Sequence, residues 1–490
     1  MMIIDQEKLV DNIIVNDIIR VYPELKKLIE TCSPYEIRGK ILSVLDPRND
    51  LHYDYREFHE LNLECDDLSY LDEITTTLRN YVRVADTEVK DFGEVMTPIP
   101  LVEEMLDVFP SDVWTDPNKK WLDPCAGVGT FYSVVVQRLM KGLKKAIPNK
   151  NKRYRHIIEN MLFACELQAK NMFIYHCIFD RPNIFELNTF YGSYLSDEFN
   201  EHMINVWGVD KFDIILGNPP YNQNIDLKFL KKSHDISDVV LFVHPSVWVI
   251  DNKGKNKTFL ETREYVKDRI KSLTLFNGNG IFDIGLFVPC MITYITKEIT
   301  ETINVRNKLS GQSYSTDNIN DIDLYDCNKT YLKLKDKIKN YVSKNNNLWN
   351  MCKRDYNGTH TFNTQSFEVG ISPIRGNHTN KETKMYKDDF FTFLQKQNPQ
   401  EHIGTTTQYK LKFGFDTIQE CNNFVGYLKS NFARFCLSIY KTAQTFHGGE
   451  LEIVPYLDFT QEWNDEKLYQ EFNLTKEEID FINTQMPKFY

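Results

Sequence analysis

Asn218-Pro219-Pro220-Tyr221 stands directly behind the apolar run Phe212 to Gly217. That run predicts a short buried strand. Two consecutive prolines cannot continue a sheet ladder, so the chain must turn out stiffly at Pro219 and Pro220. An amide and a phenol ring are then held at the carboxyl end of a strand, where α/β sheets bind ligands. The chemistry that suits this arrangement is methyl transfer to a planar amine. The Asn218 amide oxygen and the Pro219 carbonyl can accept both N–H bonds of an exocyclic NH2, which frees its lone pair toward a methyl donor. Tyr221 can stack on the ring that carries the amine. The plain alternative is a strand-ending turn with a buried Asn.

A second group of residues could hold the donor. Asp123-Pro124-Cys125-Ala126-Gly127-Val128-Gly129-Thr130 follows Trp121-Leu122, the end of a predicted first strand. Gly127 and Gly129 allow a tight turn and a close ligand approach. The loop lacks G-K-[ST], its G-x-G-x-x-G pattern is incomplete, and Asp123 would repel a phosphate. S-adenosylmethionine carries an ammonium and a sulfonium and no phosphate, so it fits; a bare strand–helix turn is the alternative. Glu166 ends the second predicted strand, where a carboxylate can accept both ribose hydroxyls. Asn188-Thr189-Phe190 is expected after a third strand, Asn183 to Leu187. There Asn188 can bind the adenine amine and Phe190 can pack on the ring; a plain turn reads equally well. Thr97-Pro98, ahead of the helical run Leu101 to Leu106, is a helix start whose N–H groups could take the donor's carboxylate, or simply an N-cap.

These residues need a sheet to converge. Predicted strands at Met161 to Cys165, Phe212 to Leu216, Val239 to Val243, Ser272 to Phe276 and Met291 to Ile295 alternate with helices at Gly129 to Met140 and Ala169 to Phe179. Such alternation implies an α/β fold: a doubly wound, mostly parallel, Rossmann-like sheet. The chain has 490 residues, 42% of them hydrophobic and 26% charged, enough for two or three globular domains. We expect a helical region over 1–90, the sheet domain over 91–300 and an α+β region over 301–490 with a helical closure from Trp463 to Met486. No membrane span, signal peptide, zinc-spaced cysteine set or other metal site is read, and a cytoplasmic protein with reduced thiols is expected.

The net charge of −11 is unevenly spread: −8 over 1–90, −4 over 91–330, +7 over 331–450 and −6 over 451–490. A basic block in an acidic chain suits a localised phosphate-binding face. The dense run Lys141, Lys144, Lys145, Lys150, Lys152, Arg153 and Arg155 belongs at the opposite edge of the sheet from the ligands and reads as helix-end charge.

In order the motifs are G-E-V-M-T-P, D-P-C-A-G-V-G, A-C-E and N-P-P-Y. This order resembles the γ-ordered N6-adenine DNA methyltransferases, the class with the Eco57I-like methylases. The resemblance covers about 90–300 and, more loosely, Val454 to Phe459. It implies S-adenosylmethionine at Thr97, Pro98, Asp123, Pro124, Ala126, Gly127, Gly129, Glu166, Asn188 and Phe190, and catalysis at Asn218, Pro219, Pro220 and Tyr221. The family usually carries Asp where Asn188 stands. Phe282 matches the place of a second aromatic ring holding the flipped base; an ordinary core Phe is the alternative.

The expectation is a site-specific methylase of double-stranded DNA, with base flipping, a target-recognition region after residue 301 and a monomeric state. A separate restriction endonuclease is an open partner. The rivals are a glutamine methyltransferase of release factors, an RNA adenine methyltransferase and an inactive DNA-binding subunit.

Overall fold

The computed structural model describes residues 20, 96–179, 187–250, 256–278, 281–282, 289–308, 311–322, 329–354, 367–371, 394–395, 411–440 and 449–486. The region expected to be helical over 1–90 lies outside the described residues apart from Arg20, as do Phe92 to Val95 of the first motif.

Helix α1 (Ile99–Leu106) leads to β1 (Trp121–Asp123), α2 (Thr130–Gly142), α3 (Lys150–His156), β2 (Leu162–Glu166), α4 (Ala169–Phe179) and β3 (Thr189–Tyr191). Then come α5 (Asp197–Asn205), β4 (Phe212–Gly217), α6 (Ile225–Ile236), β5 (Ser237–Pro245), α7 (Val247–Ile250) and α8 (Lys257–Val266). Strands β6 (Ile270–Asn277), β7 (Pro289–Thr296), β8 (Ile303–Asn307) and β9 (Gln312–Thr316) complete one nine-stranded sheet, in the order β3-β2-β1-β4-β5-β7-β6-β8-β9. The first five strands in that order are parallel. Strand β7 runs antiparallel to both neighbours. The order reverses at β1, between β2 and β4, and that switch point opens a ligand crevice at the strands' carboxyl ends.

Alternation along the strands divides the core between the two faces of the sheet. Trp121, Leu162, Ala164, Ile214, Leu216, Leu241 and Val243 pack with α1, α2 and α4. Their neighbours Leu122, Phe163, Cys165, Ile215 and Phe242 pack with α5, α6, α7 and α8. Helices on both faces explain why the strands are continuous apolar runs. The Tyr132 hydroxyl, buried in α2, lies 3.0 Å from the Trp121 carbonyl and 2.6 Å from that of Phe163, tying the helix to β1 and β2.

Two boundaries differ from expectation. The third strand is not Asn183 to Leu187: residues 180–186 are outside the described residues, Leu187 and Asn188 form a bend, and β3 starts at Thr189. It is a short, half-buried edge strand, so it lacks the buried apolar run that marks the others. The sheet also continues past residue 300 into β8 and β9, and Ile322 still packs in the same core. The basic run spans the last turn of α2 through α3, ahead of β2. There Lys141, Lys144, Lys145, Lys152 and Arg155 are exposed, and Arg153 folds back onto the Ile147 carbonyl at 2.8 Å.

A second core begins at Tyr331. It joins α9 (Lys329–Lys344), α10 (Leu348–Met351), β10 (Lys353–Arg354), β11 (Phe367–Ile371), β12 (Leu394–Gln395), β13 (Leu411–Phe415), α11 (Ile418–Lys429), α12 (Asn431–Tyr440), α13 (Asp465–Glu471) and α14 (Lys476–Gln485). Its four strands form an antiparallel sheet in the order β10-β13-β11-β12. Capping boxes at Thr417/Glu420 and Thr475/Glu478 start α11 and α14. Within Val454 to Phe459, the Pro455 carbonyl accepts from the buried Tyr427 hydroxyl at 2.8 Å, so the segment is part of this core. The charge block 331–450 includes long stretches outside the described residues. No helix among the described residues is long and apolar enough to cross a membrane.

Candidate active site

The carboxyl ends of β1, β2, β3 and β4 surround a cavity of about 240 Å³. Pro124, Ala126 and Gly127 form its β1 wall, Glu166 and Leu167 its β2 wall, Gly192 to Leu195 its β3 wall, and Asn218 and Pro220 its β4 wall. Met96 and Thr97 close it from the approach to α1. The expected donor loop and the N-P-P-Y turn therefore face one space.

Thr97 has a role its position in the chain did not suggest. The buried Thr97 does not cap α1; Pro98 is the N-cap residue, with no side-chain cap. Its hydroxyl instead accepts the Asn218 amide N–H2 at 2.9 Å, across 121 residues of sequence. With the amide nitrogen directed at Thr97, the oxygen lies at the other end, the acceptor that a target amine needs.

Glu166 bridges two loops. One carboxylate oxygen accepts from the Gly127 amide and the other from the Gln168 amide, both at 2.8 Å. Each oxygen can take further donors from a ligand. Removing this carboxylate loses bonds of the charged kind, worth about 1.5–3 kcal/mol each. Glu166→Ala should therefore weaken S-adenosylmethionine binding by about 10–100-fold by calorimetry; unchanged affinity would exclude Glu166 from the donor site.

Asp123 departs from its expected role. It is 1% exposed and does not line the cavity. One oxygen accepts from the Cys125 amide at 3.1 Å. Gly217 makes room for it, since a Cβ there would stand 2.9 Å from that oxygen. Burial pushes the Asp123 carboxyl up to about 8, with Glu166 adding to the rise and the Cys125 amide opposing it. At neutral pH it is thus an acid rather than an anion facing a cationic ligand. The folded protein keeps a proton that the unfolded chain gives up from its ordinary value of 3.8, so the group's contribution to stability is fullest below that value and is lost as pH rises toward about 8. The melting temperature should fall from about pH 5 to about pH 8, and Asp123→Asn should flatten that fall. Equal slopes in both proteins would contradict the assignment.

Asn188 and Phe190 are not on the cavity wall. Asn188 precedes β3, at the opposite edge of the sheet, and donates to the Glu159 carbonyl at 2.6 Å. Phe190 packs on Phe199 and His202. The residues that leave β3 into the cavity are Gly192, Ser193, Tyr194 and Leu195, displaced because β3 starts later than the apolar pattern indicated. The Tyr194 ring lies 5.0 Å from Phe229 of α6, and its hydroxyl meets Ser233 at 2.9 Å. Sequence reasoning also missed Leu167, which is 53% exposed beside Glu166; an apolar residue right after a strand-ending acid was the available signal. Phe282 is a core residue, 4% exposed and 6.4 Å from Phe276.

Tyr221 turns inward. Its ring is off the cavity wall, and burial raises its phenol well above the ordinary range, with Cys290 and Asp226 adding to the rise and an Asn218 hydrogen bond opposing it. Behind it, Gln223 and Asn224 both sit in the left-handed region, at φ 55° and 59°. Such non-glycine positions cost about 1–3 kcal/mol each and persist where their surroundings impose them.

The N-6 DNA methylase family model matches residues 76–265. An uncharacterized adenine-specific methylase of Mycoplasma pneumoniae is 26% identical over 320 residues, covering 49% of this chain and 75% of that protein. Among solved structures, a type I restriction–modification system aligns at 16% identity, with 60% of this chain, 62% of that chain and a TM-score of 0.39. The M protein of the type I restriction enzyme EcoKI aligns at 14%, with 56% and 58% covered and a TM-score of 0.36. The chain thus spans about 60% of the length of those two structures. Residues 76–265, which bring the methylase motifs together at one switch-point cavity, are thus similar to the N-6 DNA methylases, and the chain resembles an adenine-specific methylase.

Proposed function

We propose that this chain transfers a methyl group from S-adenosylmethionine to N6 of a flipped-out adenine in double-stranded DNA, at specific sites. The observation that carries the reading is the Thr97–Asn218 hydrogen bond at the cavity, which sets the amide for an amine. The cavity fits the donor chemically. Among the described residues lining it there is no Lys, Arg or His to meet a phosphate, while Glu166 offers a carboxylate and Pro124, Leu167, Tyr194 and Phe229 offer apolar walls. The donor supplies an activated methyl on a sulfonium.

The protein's own work is alignment and polarisation. Asn218 and the Pro219 carbonyl accept the two N–H bonds of the target amine, so its lone pair turns toward the methyl. Glu166 holds ribose hydroxyls, and Ser193 stands at the β3 exit where an adenine amine would be met. Adenine must leave the duplex to reach this depth, at a cost of a few kcal/mol. A stacking ring returns about 1–3 kcal/mol. Tyr221 is that ring once it turns outward. The block 331–450, with its net charge of +7, would grip phosphates and read bases. A monomeric state and a cytoplasmic location complete the reading, with a separate nuclease left as an open partner. The test is labelled methyl transfer to unmethylated duplex DNA beside RNA and protein acceptors.

A further inference from the structure

Below the N-P-P-Y turn lies a buried polar triad that the chemistry above does not use. Asp226, in the first turn of α6, is 4% exposed, and His244 at the end of β5 and Thr293 in β7 are fully buried. His244 Nδ1 meets Asp226 Oδ2 at 3.0 Å, and its Nε2 meets Thr293 Oγ1 at 2.8 Å. Both ring nitrogens are therefore committed, and the aspartate is fixed to two strands at once. Asp226 stands two residues after Asn224 and three after Gln223, the left-handed pair that joins Tyr221 to α6. The N-cap Asn224 makes no side-chain cap bond. Something beyond local capping must hold this turn in its unfavourable conformation, and the triad is anchored at its far end.

We propose that Asp226, His244 and Thr293 form a clamp that imposes the Gln223–Asn224 turn and so positions Asn218 and the backbone from which the Tyr221 ring turns outward. They are positioning residues: none lines the cavity. The Asp226–His244 bond is the acting link, because Asp226 alone belongs to the element that follows the turn. Thr293 sets the ring's orientation. The assignment rests on the methyl-transfer reading above for its kinetic consequence, though not for its structural one.

The paired variants His244→Asn and His244→Gln test it. Asparagine places its amide nitrogen where Nδ1 stood and keeps the bond to Asp226; glutamine reaches the Nε2 position and keeps only Thr293. Both lose the imidazole packing, so their melting temperatures should fall together. His244→Gln should lower kcat by about 100-fold, with donor affinity unchanged, while His244→Asn keeps most of the wild-type rate. Hydrogen exchange of amides 221–226 should be faster in the glutamine variant alone. Equal loss of kcat in both, in step with melting temperature, would reduce the triad to core packing and overturn the proposal. Should the His244 variants fail to fold, Asp226→Asn against Asp226→Leu asks the same question, with loss of kcat expected only for leucine. A wild-type protein that methylates no DNA would count against the functional reading; the exchange comparison would still decide the clamp.

Discussion

Asn218→Ala should keep S-adenosylmethionine bound at wild-type affinity and lose methyl transfer by about 10²–10³-fold, the usual cost of removing one group that stabilises developing charge. The split follows from the geometry. On the proposed reading donor contacts would fall to the β1, β2 and β3 walls, whereas the Asn218 amide on the β4 wall, its nitrogen donating to Thr97 at 2.9 Å, would meet the amine. Single-turnover kinetics with labelled donor would measure the loss, and calorimetry the retained affinity. Transfer at the wild-type rate would remove Asn218 from the chemistry.

Gly129→Ala should cost more than any other single methyl in the donor loop. Gly129 has φ +91°, and a Cβ there would lie 2.3 Å from Phe179 Cε2 and 2.9 Å from Tyr175 Cδ2. Phe179 is 1% and Tyr175 3% exposed, so neither ring can give way. Left-handed strain and overpacking together come to about 2–5 kcal/mol. A domain of this size loses about 2–4 °C in melting temperature per kcal/mol. Gly127→Ala is the comparison, since a Cβ at that position meets nothing within 4 Å. Its melt should fall by less, while its methyl protrudes into the donor cavity. Thermal denaturation followed by circular dichroism separates the two; equal melts would contradict the crowding at Gly129.

Much of the fold was legible because buried parallel strands are apolar runs and the switch-point loops carry glycines, prolines and acids. Asp123, Glu166 and Asn218 are found at the strand ends their local patterns imply. The misreadings share a cause: they concern contacts that local sequence does not encode. The short edge strand β3 carries no buried run, so Asn188 and Phe190 were read as cavity residues in place of Ser193 and Tyr194. Thr97 looked like a helix start, but its partner is 121 residues away. Asp123 looked like an exposed anion until Gly217, on a neighbouring strand, was seen to admit it into the core. Phe282 follows the same rule, its place decided by packing on Phe276. The Asp226–His244–Thr293 triad joins three separate elements and left no local mark at all.

The central claim is methyl transfer to adenine in DNA, and one measurement tests it most directly. Purified full-length protein is incubated with labelled S-adenosylmethionine and unmethylated double-stranded genomic DNA, with RNA and a release factor in parallel, and the products are hydrolysed and identified by mass spectrometry. The account predicts label in the DNA, recovered as N6-methyladenine and lost in Asn218→Ala. Label recovered on RNA or on a protein glutamine, with none in the DNA, would contradict it.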